Sequence, residues 1–320
     1  MKFEHQYTGP EQDFSGGPIV EFPPDEMPPV ELVGIMSPEL WHRGPEWEAI
    51  WEKQQGHGIV LASLDTGYAK HTEGPEIVGT RSFIQGQSVV DGSGHGTHTI
   101  GTMAGKGRIG VAPGAKMLVG KVLSNQGSGG SDGITAGIRW AVDAGAHVIN
   151  MSLGGGGSYQ PTNDAIDYAF SKGCWVNAAA GNAGYNGANT IGWPAKYPGC
   201  LCTGAYQRNG NIASFSSGGE QIDWACPGQG IVSFSKNGSG YASMDGTSMA
   251  CPGGTGVLAL LYAELLRRGY PIWKTTDEIR QWFRANMKDV GAPGFDVRFG
   301  FGIPVVDEVL SQIIGDLIYT

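Results

Sequence analysis

The sequence predicts an α/β fold in which a mostly parallel central β-sheet is flanked by helices on both faces of a single domain. Apolar runs of six or seven residues recur from residue 58 onward, without the polar alternation of a strand that faces water on one side. Segments with helical spacing lie between these runs, and strands that take turns with helices build parallel sheets. A chain of 320 residues with 40% hydrophobic side chains can also bury a sizeable core.

Residues 1–45 stand apart from the rest. They hold eight acidic residues against two basic ones, which gives −6 of the formal charge of −9, and eight of the 18 prolines, with Pro23-Pro24 and Pro28-Pro29 among them. No helical or strand period runs through this stretch, so it reads as an acidic, Pro-rich extended arm, with the domain occupying residues 46–320. The arm lacks the basic start, continuous apolar run and small-residue cleavage site of a signal peptide. No downstream run approaches the roughly 18–20 apolar residues of a membrane span. The chain is therefore expected to be soluble and cytoplasmic.

Within the domain, Glu46–Lys53 reads as a short helix and Gly58–Leu64 as the first buried strand. Lys116–Val122, His147–Leu153, Cys174–Ala180 and Cys200–Ala205 follow as strands, and Gly96–Ala104, Ser131–Ala144 and Asn163–Lys172 as the intervening helices. A β-rich patch punctuated by Gly and Ser runs from Ile212 to Met244. Two helices close the domain, Ser248–Arg268 and Asp277–Asn286, the second opened by the capping-box pattern Thr275-Thr-Asp-Glu278.

Charge and cysteine content exclude several classes of function. A net charge of −9 with no basic stripe argues against nucleic acid or an anionic membrane as the main partner. Cys174, Cys200, Cys202, Cys226 and Cys251 are odd in number and read as reduced, small buried hydrophobes. Cys200 and Cys202 have no second Cys or His pair at metal-site spacing, so no metal site is expected.

In open parallel sheets, reactive groups gather beyond the carboxyl ends of strands. Asp65 follows the first apolar run directly, His95 opens a segment rich in small residues as Gly94-His-Gly-Thr-His98, and Ser248 precedes the apolar helix in Gly246-Thr-Ser-Met-Ala-Cys-Pro252. Each alone is an ordinary turn or cap residue. An Asp, a His and a Ser all at strand ends or helix starts point instead to a nucleophilic triad.

With these residues in place the chain resembles the subtilisin-like serine proteases. Asp65-Thr-Gly, His95-Gly-Thr-His-Thr-Ile-Gly-Thr102, Ala179-Ala-Gly-Asn182 and Gly246-Thr-Ser-Met-Ala250 stand in that family's order. Gly110-Val-Ala-Pro, Val148-Ile-Asn-Met-Ser-Leu-Gly154, Ala213-Ser-Phe-Ser-Ser217 and Phe299-Gly-Phe-Gly302 match between them, and the likeness covers roughly residues 38–312. The short N-terminal extension is closer to intracellular-type members than to secreted ones, whose folded pro-domains are larger.

The resemblance implies a serine endopeptidase. Ser248 Oγ is a weak nucleophile at neutral pH, His95 would take its proton and return it to the leaving amine, and Asp65 would fix the imidazole tautomer. Asn182 and the backbone N–H of Ser248 would form the oxyanion hole. A peptide substrate would pair as an extended strand with Gly127, Ser128 and Gly129 on one side and Ser152, Leu153 and Gly154 on the other. The primary pocket would be walled by Ser152–Gly154 and Ala179, Ala180 and Gly181, with Gly192 near its base. No Asp or Glu lies in these segments, and Ala183 stands where many relatives carry an acid. A large apolar or aromatic residue before the scissile bond is therefore expected.

The departures from the family pattern are specific. Gly253-Gly-Thr-Gly256 replaces the usual His-Val-Ala-Gly and loads the serine helix with glycine, at a cost of about 1 kcal/mol for each interior Gly relative to Ala. Chemistry in this family needs no cofactor. Many members hold structural calcium, but the corresponding loop, Met103–Ile109, is short here and has no Asp, Glu or Asn. His147 stands where an Asp is common, and Asn177 interrupts an apolar strand.

Two further motifs fail on context. Gly105-Lys-Gly-Arg-Ile-Gly110 fits G-x-G-x-x-G but follows a helical segment instead of opening one. An α/β-hydrolase needs G-x-S-x-G and the order Ser, Asp, His, whereas here Ala250 breaks the motif and the order is Asp, His, Ser. The competing class is a catalytically silent subtilisin fold that binds or scaffolds peptides, against which the intact triad and Asn182 argue. Expected partners are protein or peptide substrates, with residues 1–45 acting as an intramolecular inhibitor or as a docking tail.

Overall fold

A computed structural model describes residues 20–22 and 45–304, apart from Arg108 and Ala188. Most of the 1–45 arm and residues 305–320 lie outside the described residues. Seven parallel strands form the main sheet: β2 Val60–Asp65, β3 Ile77–Ser82, β4 Lys116–Lys121, β5 Val148–Met151, β6 Trp175–Ala179, β7 Leu201–Tyr206 and β8 Trp224–Pro227, in the order β3-β4-β2-β5-β6-β7-β8. From β2 the chain steps out through β3 and β4, then crosses back to β5 on the other side. The carboxyl end of β2 is thus a topological switch point, the place where such sheets bind ligands.

Side chains on both faces of β5 and β6 are buried, which requires a helical layer on each side. The helices are α1 Pro45–Lys53, α2 His95–Ala104, α3 Ser131–Asp143, α4 Gln160–Ser171, α5 Thr247–Arg268 and α6 Thr276–Asn286. They pack as two pairs, α3 with α4 and α2 with α5. Helix α5 is long and apolar enough to span a membrane by length and composition, contrary to the sequence expectation, yet 94% of that window is buried inside the domain. It is the core helix of the domain.

Two strands of the main sheet differ from the sequence reading. β3 was not predicted, because Ile77-Val-Gly-Thr-Arg-Ser82 lies at the sheet edge, half exposed, and takes its form from pairing with β4. β8 belongs to the Ile212–Met244 patch but joins the main sheet beside β7. The rest of that patch is a hairpin, β9 Ile231–Phe234 with β10 Tyr241–Met244, whose free edge pairs antiparallel with β1 Val20–Phe22. A short pair, β11 Met287–Lys288 with β12 Ile303–Pro304, follows α6. The capping box of α6 is formed: Thr275 and Glu278 each accept the other's backbone N–H.

The glycine-rich start of α5 has a packing reason. A β-carbon on Gly254 would lie 2.6 Å from the Trp224 indole, and one on Gly256 2.5 Å from Val111. Trp224 is completely buried, and its Nε1 starts a chain of hydrogen bonds through the core. Nε1 donates to Thr203 Oγ1 (2.8 Å), which donates to Asn177 Oδ1 (2.8 Å); Asn177 Nδ2 donates to Thr255 Oγ1 (3.1 Å), which donates to Asn150 Oδ1 (2.9 Å). Asn150 Nδ2 completes the chain at Ser152 Oγ (2.9 Å). Asn177 therefore interrupts its strand as a fully satisfied member of a buried network, the condition under which a polar core group is tolerated. His147 is likewise accounted for: its Nδ1 accepts the Val60 N–H at 3.0 Å and its ring meets Tyr262 edge-on.

Candidate active site

Asp65 ends β2 and is 1% exposed. Its Oδ1 accepts the Thr66 N–H (2.6 Å) and lies 2.8 Å from His95 Nδ1. A carboxylate only accepts, so Nδ1 carries a proton, and in the neutral ring Nε2 presents its lone pair. His95 opens α2, and Gly96 behind it lets that helix meet the turn after Asp65, since a β-carbon there would lie 2.4 Å from Gly67 O. Burial opposes the imidazolium, but the Asp65 carboxylate, by charge and hydrogen bond, and the Asp91 charge beyond it hold the His95 pKa above its ordinary value.

Ser248 is the second residue of α5 and is buried. Its hydroxyl donates to Ser152 O at 3.2 Å. Asn182, just past β6, is held by its oxygen, which accepts both the N–H and the hydroxyl of Thr247 at 2.9 Å. This turns its Nδ2 toward the helix start: a β-carbon on Gly246 would lie 3.4 Å from Asn182 Nδ2 and 3.6 Å from Ser248 N. Ser248 N belongs to the first turn of α5, whose amides have no partner inside the helix. Two N–H donors of different segments thus flank Gly246, at the start of the serine helix.

The two segments expected to pair with a peptide lie on either side of β2. Its neighbours β4 and β5 run on past Asp65 as 122–130 and 152–155, flanking the position that a further residue of β2 would occupy. On the first edge, Ser124 N donates to Ser128 O (2.7 Å), Gly127 N donates to Ser124 O (2.9 Å), and Gly129 sits close on Val122 O. On the second, Gly155 and Trp193 exchange two backbone hydrogen bonds, and Gly192 N donates to Ala180 O. Ser152, Leu153, Gly154, Ala179, Ala180, Gly181 and Gly192 therefore come together in one wall. A β-carbon on Gly192 would be 3.3 Å from Gly155 O. Ala183 N donates to Ser217 Oγ at 3.1 Å, with no carboxylate involved.

Sequence reading missed the supporting residues. Asp91, four residues before His95, accepts from Thr66 Oγ1, Ser93 N and Gly94 N through Oδ1 and from Thr97 N and Oγ1 through Oδ2, all at 2.7–2.9 Å. An Asp shortly before a helix start is a capping signal and was legible as such. Burial raises the Asp91 pKa, but the hydrogen bonds from Gly94, Thr97 and Thr66 outweigh it and hold the carboxyl below its ordinary range. His98, also buried, donates from Nε2 toward the carbonyls of Ile231 and Ala242, and burial pushes it down to about 4.

The loop after α2 does not fit a calcium ion. Lys106, Gly107 and Ile109 bring no acidic or amide side chain, and backbone hydrogen bonds close the loop, Lys106 N to Glu73 O and Gly110 N to Gly105 O. Glu73 turns its carboxylate over Gly107 and accepts from Tyr241. Among the described residues no group of three or more His, Cys, Asp or Glu side chains gathers as a metal site. All five cysteines are buried and unpaired, and burial raises every thiol pKa, so they are inert as nucleophiles.

Comparison with known proteins agrees with this geometry. The profile of the Subtilase family, Peptidase S8, matches residues 56–302. The chain belongs to the subtilase family. This subtilase is 42% identical over 216 residues to Subtilisin DY of Bacillus licheniformis, covering 66% of this chain and 78% of that protein. It is 39% identical over 242 residues to Subtilisin Savinase of Lederbergia lenta, 74% of this chain and 86% of the relative. Alkaline elastase YaB of Bacillus sp. (strain YaB) is 38% identical over 253 residues, 78% of this chain but 63% of its own length. The subtilase is accordingly a serine endopeptidase, whose family chemistry runs without a cofactor.

Proposed function

We propose that this subtilase cleaves peptide bonds through Asp65, His95 and Ser248 by way of an acyl-enzyme. The observation that carries the reading is the 2.8 Å contact of His95 Nδ1 with Asp65, which fixes the Nδ1 proton, so that the neutral ring accepts a proton at Nε2. In this reading Ser248 attacks the carbonyl as His95 takes its proton, and the imidazolium, stabilised by Asp65, returns the proton to the leaving amine. The developing oxyanion is held by Asn182 Nδ2 and Ser248 N, with the amino end of α5 adding its dipole. Water then enters by the same acid and base steps.

Selectivity falls to the pocket between Ser152–Gly154, Ala179–Gly181 and Gly192. Its walls are backbone and small apolar groups, without a charge to pair with Lys or Arg, so a large apolar or aromatic side chain is preferred. Residues 1–45 are read as an intramolecular restraint. Support comes from β1, which adds a strand to β10 only four residues before Ser248. Peptide-library profiling of the full-length chain, of Ser248→Ala and of a chain beginning at Ser37 tests all three claims. Aromatic or large aliphatic preference, no turnover by Ser248→Ala, and faster turnover by the shortened chain are expected. A dominant Lys or Arg preference would overturn the pocket reading, and equal activity with and without the arm would overturn the restraint.

A further inference from the structure

Lys121 is completely buried at the end of β4, directly opposite Asp65 in the parallel register, and the chemistry above makes no use of it. Among the described residues no carboxylate lies within ion-pair distance of its ammonium. Its partners are Thr66 O, Asn125 Oδ1 at 2.8 Å and Val90 O at 3.4 Å. A buried charge held only by neutral acceptors is costly, and an apolar side chain of the same length would fill the position without that cost. The three acceptors lie on three different segments: the turn after Asp65, the loop before His95, and the start of the peptide edge.

We propose that Lys121 is a positioning residue that holds these three segments, and so the Asp65–His95 pair and the peptide edge, in one fixed arrangement. Thr66 is the first link. Its carbonyl takes Lys121, its hydroxyl donates to Asp91 (2.9 Å), and the same oxygen accepts the N–H of Gly96 (2.9 Å), beside His95. Asn125 is the second. Its amide oxygen is shared between Lys121 and Gly92 N (3.1 Å), its backbone N–H donates to Gln87 Oε1, and its side chain lies so close on Gly92 that a β-carbon there would be 2.5 Å away. The loop bearing His95 and the loop bearing Gly127–Gly129 are thus latched to one ammonium.

The charge also bears on the two carboxylates that act on His95. Asp65 from β2 and Asp91 from the preceding loop act on the imidazole, His98 on the same helix is coupled to it, Lys121 from β4 interacts with both carboxylates, and the exposed Lys236 donates to Gly92 O in the loop before His95. Removing the cation of Lys121 favours the imidazolium, and removing the anion of Asp91 disfavours it. The rate of a base that works as neutral imidazole should shift in opposite directions on the pH axis.

The inference rests on the triad reading, and the test separates the two. On the full-length chain and on Lys121→Met, Asp91→Asn, Asn125→Ala and Ser248→Ala, kcat and KM are measured against pH, with folding checked by circular dichroism. Ser248→Ala abolishes turnover if the triad reading holds; persistence of activity sinks that reading whatever Lys121 does. Lys121→Met is expected to lose at least tenfold in kcat and to move the acid limb up by about half a pH unit, and Asp91→Asn to move it down by a similar amount. A residue needed only for packing would lower rate or stability without these opposed shifts. Asn125→Ala, at an exposed side chain, is expected to raise KM about threefold or more at nearly constant kcat. A folded Lys121→Met with kcat within twofold of the parent and an unmoved acid limb overturns the proposal. Should Lys121→Met fail to fold, an unchanged KM in Asn125→Ala overturns it instead.

Discussion

Ser248 Oγ donates to the carbonyl of Ser152 at 3.2 Å, while Nε2 of His95 has no hydrogen-bond partner among the described residues. The hydroxyl is therefore held on the Ser152–Gly154 segment, which the proposed function reads as a peptide edge. A substrate N–H that pairs with Ser152 O competes for that acceptor and leaves the hydroxyl to His95. Catalytic hydrogen bonds commonly tighten only in the substrate complex. N-methylation of the residue just before the scissile bond, which removes that N–H, is expected to lower kcat at least tenfold in steady-state assays, with a smaller change in KM. Equal turnover of the methylated and parent peptides would contradict this coupling.

The pH dependence follows from His95. Burial is outweighed by the Asp65 and Asp91 charges, so the imidazole of the folded enzyme titrates above its ordinary 6.5. Since only the neutral ring accepts the Ser248 proton, kcat/KM should rise with pH through a midpoint above 6.5. A midpoint below 6 in a pH-rate profile would mean that the carboxylates do not govern this ring.

Acid stability is set by a different histidine. His98 titrates at about 4 in the folded chain because burial, helped by the neighbouring His95, outweighs its hydrogen bonds to the Ile231 and Ala242 carbonyls, against 6.5 when unfolded. Below pH 6.5 the unfolded chain gains a proton that the folded chain does not, so stability is lost as pH falls from 6.5 to about 4 and no further on this account. The loss is about 3 kcal/mol. Denaturant titrations at pH 7 and pH 4 measure it, and stability that is flat over this interval would contradict it.

Asn182→Ala removes one of the two N–H donors that flank Gly246 while leaving Asp65, His95 and Ser248 in place. The expected loss is about 10²–10³-fold in kcat with little change in KM; this magnitude is the one established for such a donor in subtilisin itself, a member of the same family. A change in KM alone would assign Asn182 to binding instead.

Helix propensity and packing give opposite signs for Gly254→Ala. Alanine would favour the helix by about 1 kcal/mol, but its β-carbon would meet the buried Trp224 indole at 2.6 Å. Overpacking typically costs about 1–3 kcal/mol, so net destabilisation is expected in thermal or denaturant melts. A stabilised variant would show that Trp224 yields without cost.

What the sequence made legible depends on how local the cause is. Asp65, His95 and Ser248 stand at strand ends and helix starts inside short motifs, and β2, β4, β5, β6 and β7 are apolar runs whose burial on both faces is written into their composition. β3 escaped because its form comes from its neighbour β4 and not from its own half-exposed side chains. Asn177 looked out of place because its partners Thr203, Cys251 and Thr255 are 26, 74 and 78 residues away. Lys121 sat inside a predicted apolar strand and gave no signal of its own. Its significance comes from three acceptors that only the fold brings together.

The central claim, that Ser248 is a nucleophile activated by His95 and Asp65, is tested most directly by labelling with a fluorophosphonate probe and locating the adduct by mass spectrometry. One adduct on Ser248, absent in Ser248→Ala and formed far more slowly in His95→Ala, is the result this account predicts. An unlabelled wild-type chain, or an adduct on a different serine, would contradict it and favour a peptide-binding protein on a subtilase fold.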